Sequence, residues 1–347
     1  MKADLLTHTV GVYYHLNIPL CIVGAPGGGK TSIVKQAARA LRKRSITVHM
    51  PTALVEDFGV PDIVALSQTT DGNIEAVIDN SFGYRLPAWF PVEGGPLDDG
   101  RGGFIIFDDR NQADQSLQKV LANILQERTL HGQRMAKGWY PISTGNRVED
   151  RAGANKVLSH LGNREVEIAL DTDLDTTCKY FLEQGCNPAV VALLRWKPDL
   201  VHAFDPQQHK SPTPRGWLEH ISPVIDSEVM PEAEYECYKG SIGDGAAAVL
   251  TGFLRIWRDL EDPEFVIANP SKAKVPTDSA TLYAICGALS HRATEANFGN
   301  IIQYAKRLPT EFEVLMISMS VRTNPDVGET KAYTDWLSSS DTHALLF

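Results

Sequence analysis

The stretch Gly24-Ala25-Pro26-Gly27-Gly28-Gly29-Lys30-Thr31 decides how the first part of this 347-residue chain folds. It lies between an apolar run at 18–23 and an amphipathic segment, so it predicts a strand, a glycine-rich turn and a helix. Glycines let backbone N–H groups turn inward around phosphate oxygens, and the N-terminus of the following helix favours the same anion. Lys30 would reach the β- and γ-phosphates, and the Thr31 hydroxyl would ligate Mg²⁺. The predicted nucleotide site comprises Gly24, Ala25, Pro26, Gly27, Gly28, Gly29, Lys30, Thr31 and Ser32.

A second signal is an apolar run that ends in two acids, Phe104-Ile105-Ile106-Phe107-Asp108-Asp109. The run predicts a buried strand whose end carries the acids to the edge of a sheet. There Asp108 would hold Mg²⁺, directly or through water, and Asp109 would orient and polarise an attacking water. The alternative interpretation is a pair of solvated acids that follow a strand.

The third signal is Trp139-Tyr140-Pro141-Ile142-Ser143-Thr144-Gly145-Asn146, which predicts a strand that ends near 143–144. A polar residue at the tip of a strand beside the acid-bearing one can contact the γ-phosphate and the attacking water. Asn146 fits that sensor role. Without the two preceding motifs, an asparagine here would more often be a turn residue.

Strands alternate with helices in the first half of the chain, which predicts a parallel sheet. A hairpin is expected over 62–78, where Thr-Thr-Asp-Gly-Asn separates two apolar runs. The predicted fold is α/β: a P-loop parallel sheet sandwiched by helices, followed by a helical lid and a helical C-terminal extension. The expected parts are a nucleotide-binding core at 1–170, the lid at 171–228 and the extension at 229–347. Core strands are expected at 18–23, 46–50, 104–107 and near 143–144, core helices at 31–43 and 116–128, and later helices at 174–185, 188–195, 215–226, 245–260, 278–294, 297–307 and 309–319.

The three motifs in this order resemble those of AAA+ ATPases. The runs at 143–151, 161–164 and 211–217 look like the MoxR branch of that family, and the resemblance covers roughly 5–225. It implies a hexameric ring in which each ATP lies between two subunits, with Mg²⁺ as cofactor. Most relatives carry Glu where this chain has Asp109. Because Asp is one methylene shorter, hydrolysis would be slow unless the backbone compensates.

The resemblance also implies roles for two arginines. Arg164, in Leu161-Gly162-Asn163-Arg164, matches the arginine finger, whose guanidinium stabilises charge on the phosphoryl group transferred in a neighbouring subunit. Arg147 and Arg151 are nearby alternatives for the finger. Arg215 matches the sensor-2 arginine of the lid, which contacts the γ-phosphate in its own subunit. The competing interpretation of Arg215 is an arginine paired with a carboxylate.

The charge, the apolar runs and the cysteines of the chain argue against several classes of protein. The 33 Lys and Arg against 43 Asp and Glu give a net charge of −10, which argues against general binding to nucleic acid or to an anionic membrane. The first residues lack the apolar core of a signal peptide, and no apolar run is long enough to span a bilayer. The five cysteines form no C-x-x-C pair, so we expect reduced thiols in a cytoplasmic protein.

The leading hypothesis is a ring-shaped ATPase that remodels or activates a protein client. The MoxR resemblance implies a partner with a von Willebrand factor A domain. One alternative is a nucleic-acid motor, but the one basic cluster, at 41–44, ends a helix, where positive charge is expected anyway. Another is a module in which nucleotide switches assembly, which the shorter Asp109 keeps open. The segment 60–97 could hold an insertion that exposes Phe82-Gly83-Tyr84 or Trp89-Phe90; aromatics of a core are the competing interpretation.

Overall fold

The structure is a computed structural model that describes residues 1–62, 65–68, 74–77, 83–147, 159–227 and 229–339. The chain divides into two compact units, Met1–Asp171 and Thr172–Phe347. The three-part division into core, lid and extension stays a prediction. Within the described ranges, every helix is too short or too polar to cross a bilayer.

The first unit contains the elements that the glycine-rich and acidic motifs predict. Its helices are α1 (Ala3–Leu16), α2 (Lys30–Ala40), α3 (Gln115–Glu127) and α4 (Ser159–Gly162). Its strands are β1 (Leu20–Val23), β2 (Arg44–His49), β3 (Val60–Asp62), β4 (Ala65–Gln68), β5 (Ile74–Val77), β6 (Gly83–Arg85), β7 (Gly103–Asp108), β8 (Thr129–Leu130), β9 (Gln133–Arg134), β10 (Trp139–Gly145) and β11 (Val166–Ala169).

Five of these strands form one parallel sheet in the order β11-β1-β10-β7-β2. The order places β1, which precedes the glycine-rich loop, beside β10, which carries the predicted sensor. The acid-bearing β7 lies on the other side of β10. Since all five strands run in one direction, the residues that follow β1, β7 and β10 meet at one edge of the sheet. The predicted parallel sheet is confirmed.

Helices cover both faces of the sheet, because successive side chains of a strand point to opposite sides. Phe104 and Ile106 of β7 pack with buried residues of α1 and α2. Ile105 and Phe107 pack with the buried face of α3. Burial of each such side chain stabilises the fold by about 1.5–3 kcal/mol. The predicted sandwich of helices around the sheet is therefore present.

Short antiparallel pairs lie outside the main sheet. Strands β4 and β5 pair as the predicted hairpin, with the turn outside the described residues, and β3 pairs with β6. Phe90 is buried, and the ring of the half-buried Trp89 packs edge-on against Phe58 and Phe107. These two aromatics are therefore part of a core. Tyr84 is half-buried, with its ring stacked on that of His131 at a centroid distance of 3.7 Å, and Phe82 lies outside the described residues.

The second unit is helical in its described residues. Its helices are α5 (Leu174–Glu183), α6 (Pro188–Trp196), a π-helix (Gly216–Ile221), α7 (Ser222–Ile225), α8 (Pro231–Ile242), α9 (Asp244–Arg258), α10 (Pro263–Ala268), α11 (Ser279–His291), α12 (Phe298–Ala305), α13 (Thr310–Thr323) and α14 (Lys331–Ser339). Helix α11 contributes Ala284 to one apolar cluster and Cys286 and Leu289 to another. It is apolar around most of its circumference, as expected for a helix at the centre of a bundle.

Candidate nucleotide-binding site

The glycine-rich loop connects β1 to α2 at the carboxyl edge of the sheet. Gly27 and Gly29 have φ angles of 71° and 90°, which lie in the left-handed region that glycine adopts without a steric cost. Gly29 is the N-cap residue of α2, so the helix begins at Lys30. The loop and the first turn of α2 therefore present backbone N–H groups to the same space, as a phosphate site requires.

Lys30 and Asn146, which are far apart in sequence, meet at this edge. The Lys30 side chain is buried, with only 7% of the residue exposed. Its Nζ donates hydrogen bonds to the carbonyl oxygens of Gly24 at 3.0 Å and Ala25 at 3.1 Å, and to Asn146 Oδ1 at 2.8 Å. The loop thus holds the lysine ammonium beside the tip of β10, as the motifs predict.

Oxygen atoms converge around Asp108 at the end of β7. The hydroxyl of Thr31 donates a hydrogen bond to Asp108 Oδ1, and the hydroxyl of Thr144 donates to the same oxygen at 2.7 Å. Nδ1 of His49, at the end of β2, lies 3.5 Å from Asp108 Oδ2. A threonine hydroxyl and a carboxylate form the hard oxygen donor set that Mg²⁺ prefers. Thr31 and Asp108 therefore fit the metal that the motifs predict.

Asp109 has a left-handed backbone, with φ 53° and ψ 46°. Such a backbone is uncommon for a residue other than glycine, and asparagine and aspartate are enriched there. The Asp109 N–H donates to the Thr144 hydroxyl at 3.1 Å, so one side chain of β10 contacts both acids at the end of β7. The motif analysis did not single out Thr144 for a role.

Asn111 is a second residue at the site that the sequence analysis missed. Only 3% of it is exposed, and its side-chain amide pairs with the backbone of Asn146. Nδ2 donates to the Asn146 carbonyl at 2.6 Å, and Oδ1 accepts from the Asn146 N–H at 3.1 Å. Two hydrogen bonds of this kind fix both the position and the orientation of the residue at the tip of β10. The one available signal was that Asn111 follows the acidic pair by two residues.

The predicted finger Arg164 lies at the other edge of the sheet. It precedes β11, whose first residue, Val166, pairs with Leu20 at the beginning of β1. The half-buried Arg164 lines a cleft of about 390 Å³ together with Asn163, Arg128 and others. Since the glycine-rich loop follows the last residue of β1, the strand itself separates Arg164 from the phosphate site of its own subunit.

The other predicted arginines are placed as follows. Arg147 directly follows Asn146 and is half-buried, whereas Arg151 lies outside the described residues. Arg215 belongs to the second unit and is the N-cap residue of the π-helix. Its side chain is 63% exposed, and its Nε lies 4.0 Å from a carboxylate oxygen of Glu219, a distance at which an exposed pair contributes little stability.

Two solved structures are similar to this chain at low sequence identity. NtrX from Brucella abortus in complex with ADP is 14% identical, with a TM-score of 0.38, over 99% of this chain and 68% of that chain. A candidate ATPase from Cytophaga hutchinsonii is 15% identical, with a TM-score of 0.34, over 99% of this chain and 87% of that chain. Because these identities and TM-scores are low, the likenesses assign no function. No curated protein matches the chain.

Residues 19–164 match the model of the AAA domain of the dynein-related subfamily. The matched range contains β1, the glycine-rich loop, the acids at the end of β7, Asn146 and Arg164. These are the motifs that carried the resemblance to AAA+ proteins, and the match confirms it. Residues 19–164 of this chain therefore form an AAA domain of the dynein-related subfamily.

Proposed function

We propose that this protein binds Mg²⁺ and ATP, hydrolyses the ATP at the subunit boundaries of a ring, and uses the cycle to remodel a protein client. One observation carries the proposal: Lys30, Thr31, Asp108 and Asn146 converge at the carboxyl edge of the sheet, beside the glycine-rich loop. Phosphoryl transfer requires a cation, metal ligands and a polar group that contacts the γ-phosphate, all at one place. Lys30 is the cation, Thr31 and Asp108 are the metal ligands, and Asn146 is the polar group.

The loop would bind the phosphates through its backbone N–H groups, and Lys30 would contact the β- and γ-phosphates. Thr31 and Asp108 would hold Mg²⁺, which when bound neutralises negative charge on the phosphate oxygens. Asn146 would position the γ-phosphate and the attacking water. That water would attack the γ-phosphorus while the bond to the β–γ bridging oxygen breaks, and Asp109 would accept the proton that the water loses.

Arg164 would complete the site of a neighbouring subunit. A strand rises about 3.3 Å per residue, so the four residues of β1 separate Arg164 from its own phosphate loop by about 13 Å. An extended arginine side chain is too short to span that distance. Placement at the opposite edge therefore supports a finger that acts in trans and, with it, a ring. Arg147 is the alternative, and Arg215 would contact the γ-phosphate from the lid.

A protein client fits the charge of the chain better than a nucleic acid does. The net charge of −10 would repel a polyanion and favours the MoxR type of machine over a nucleic-acid motor. By the same resemblance, the partner would carry a von Willebrand factor A domain. Slow hydrolysis with nucleotide-switched assembly remains the alternative that the short side chain of Asp109 favours.

Nucleotide binding is tested by titrating Lys30→Ala with a fluorescent ATP analogue in the presence of Mg²⁺. We expect the affinity to fall by at least about tenfold, because a charge-assisted contact to phosphate contributes about 1.5–3 kcal/mol. Arg39→Ala is the matched control, since it removes an exposed cation from the same helix and should bind like the parent. Unchanged affinity in a folded Lys30→Ala protein would refute the nucleotide site.

Action in trans is tested by mixing two inactive variants. Arg164→Ala lacks the finger but keeps its pocket, and Lys30→Ala lacks the pocket but keeps its finger. After light scattering has shown that both assemble and exchange subunits, the mixture should regain part of the ATPase activity, because some interfaces join an intact pocket to an intact finger. A mixture as inactive as its components would show that Arg164 does not act in trans, and Arg147→Ala would be examined next.

A further inference from the structure

A buried arginine, Arg110, extends from the nucleotide edge of the sheet toward the edge that carries Arg164. It follows Asp109 directly, and only 1% of it is exposed. Its Nε donates to Cys21 Sγ at 2.9 Å, in the middle of β1, and its Nη2 donates to Glu167 Oε2 at 3.1 Å, on β11. The side chain of Arg110 therefore crosses β1, the strand that leads into the glycine-rich loop, and reaches β11.

Arg110 also forms a buried ion pair with Glu165, the residue after Arg164. Nη2 of Arg110 lies 2.8 Å from Glu165 Oε1, and each side chain is 1% exposed. The other carboxylate oxygen of Glu165 accepts a hydrogen bond from Ser143 Oγ at 2.6 Å. Ser143 lies on β10, three residues before Asn146. The Glu165 carboxylate therefore contacts Ser143 of β10, the strand that ends at the sensor Asn146, and Arg110 of the turn after the acidic pair. Glu165 itself belongs to the segment that carries Arg164.

Burying these charges is costly, so their presence calls for a reason other than packing. Apolar side chains of similar volume would often fill such a place with equal or greater stability. Burial raises the pKa of Glu165, and the charge of Arg110 and the hydrogen bond from Ser143 only partly offset that effect. In contrast to apolar packing, an ion pair with directional contacts defines one arrangement of the strands that it joins.

We propose that Arg110 and Glu165 are a positioning pair that fixes the segment carrying Arg164 to the strands that form the nucleotide site of the same subunit. The proposal rests on the proposed function, in which Arg164 serves the neighbouring subunit. Its consequence is that the pocket and the finger of one subunit move together. The finger offered to a neighbour then depends on the state of the subunit that supplies it.

The principal test is the double variant Arg110→Met/Glu165→Gln, which removes both charges together and leaves neither one buried alone. Its affinity for an ATP analogue should match the parent, because it alters no group in the pocket. Its kcat should fall, by up to about 10²-fold if the finger shifts by about 1 Å. Glu165→Gln alone, which keeps an acceptor for Ser143, should show the same pattern more weakly. A parent-like kcat in both variants would overturn the proposal.

Mixing experiments separate a displaced finger from a damaged pocket. The double variant mixed with Lys30→Ala should regain activity, because the intact finger of Lys30→Ala serves the intact pocket of the double variant. Mixed with Arg164→Ala it should stay inactive, because neither subunit offers a well-placed finger. The reverse pattern would show that the pair supports its own pocket, and would overturn the proposal.

Two controls make the result specific. If Lys30→Ala and Arg164→Ala fail to complement each other, the trans finger itself is wrong and the positioning role falls with it. If they do complement each other, but the double variant regains no more activity with Lys30→Ala than with Arg164→Ala, the positioning role alone is wrong. Arg258→Met breaks the Arg258–Glu234 pair of the second unit, with Nη1–Oε2 3.0 Å, and should keep the parent kcat.

Discussion

Thr144→Val is the sharpest perturbation of this site, because valine keeps the shape and β-branching of threonine and removes only the hydroxyl. Thr144 is fully buried on β10. Its hydroxyl donates to Asp108 at 2.7 Å and accepts from the Asp109 N–H at 3.1 Å. The substitution therefore breaks the link between the sensor strand and both acids without changing either acid.

The expected cost has two parts. An unsatisfied buried donor costs about 1–3 kcal/mol, so the free energy of unfolding of the first unit should fall by about 2 kcal/mol. The Asp109 backbone would lose the hydrogen bond that helps to hold it in a left-handed conformation. If its carboxylate then moves by about 1 Å from the attacking water, kcat should fall on the order of 10²-fold.

The assay is steady-state ATP hydrolysis at saturating Mg²⁺ and ATP, together with the affinity for an ATP analogue and urea unfolding. Thr144→Ser is the matched control, since it keeps the hydroxyl and should retain most of the kcat. We expect the valine variant to bind nucleotide and hydrolyse it poorly. A valine variant that hydrolyses ATP at the parent rate would refute the link from Thr144 to the acids.

Three further predictions concern other groups. Asp109→Asn should keep its affinity for ATP and lose about 10²–10⁴-fold in kcat, because an amide cannot accept the proton; single-turnover hydrolysis at the parent rate would place the base elsewhere. Under native conditions a maleimide should label one thiol, Cys237, because the other four free cysteines are buried; mass spectrometry gives the number, and labelling of a second thiol without denaturant would contradict the structure. Burial opposes ionisation of Asp175, but Arg195 and Arg322 outweigh it and hold the pKa of that carboxyl below its ordinary 3.8. A depressed pKa stabilises the fold above the unfolded-state value and loses that effect as pH falls below it, so urea unfolding of Asp175→Asn should depend less on pH in the acid range; equal pH dependence would show that the pair is not coupled to folding.

The sequence predicted the groups whose position follows from the order of the strands. Lys30, Asp108 and Asn146 each follow or end a parallel strand, so their meeting at one edge needed no knowledge of side-chain contacts. Asn111 and Thr144 could not be found in this way. Their roles depend on which backbone groups lie opposite them after β7 and β10 pair, and an asparagine or a threonine has the same sequence signal in a turn or a strand.

The fold was predicted where burial produces a clear periodicity. Strand β7 is buried along nearly its whole length and was recognised, whereas the edge strand β11 has mostly exposed or half-buried residues and was missed. Helix α1 was missed for a related reason, because only Leu6 and Val10 of its fourteen residues are buried. The pairing of Arg110 with Glu165 could not be predicted, since nothing in the neighbouring sequence indicates that a guanidinium beside an acidic turn is buried rather than solvated.

The left-handed backbone of Asp109 restricts how this site can evolve. Glutamate, which the resemblance to AAA+ proteins implies at this position, would extend the carboxylate by one methylene toward the water. Yet it lacks the short polar side chain that makes this backbone region accessible to aspartate, and would add about 1 kcal/mol of strain. The longer reach of the carboxylate thus favours glutamate at this position, whereas the left-handed backbone favours aspartate. A change to glutamate would therefore exchange about 1 kcal/mol of stability for a longer reach, unless a separate substitution first altered the turn.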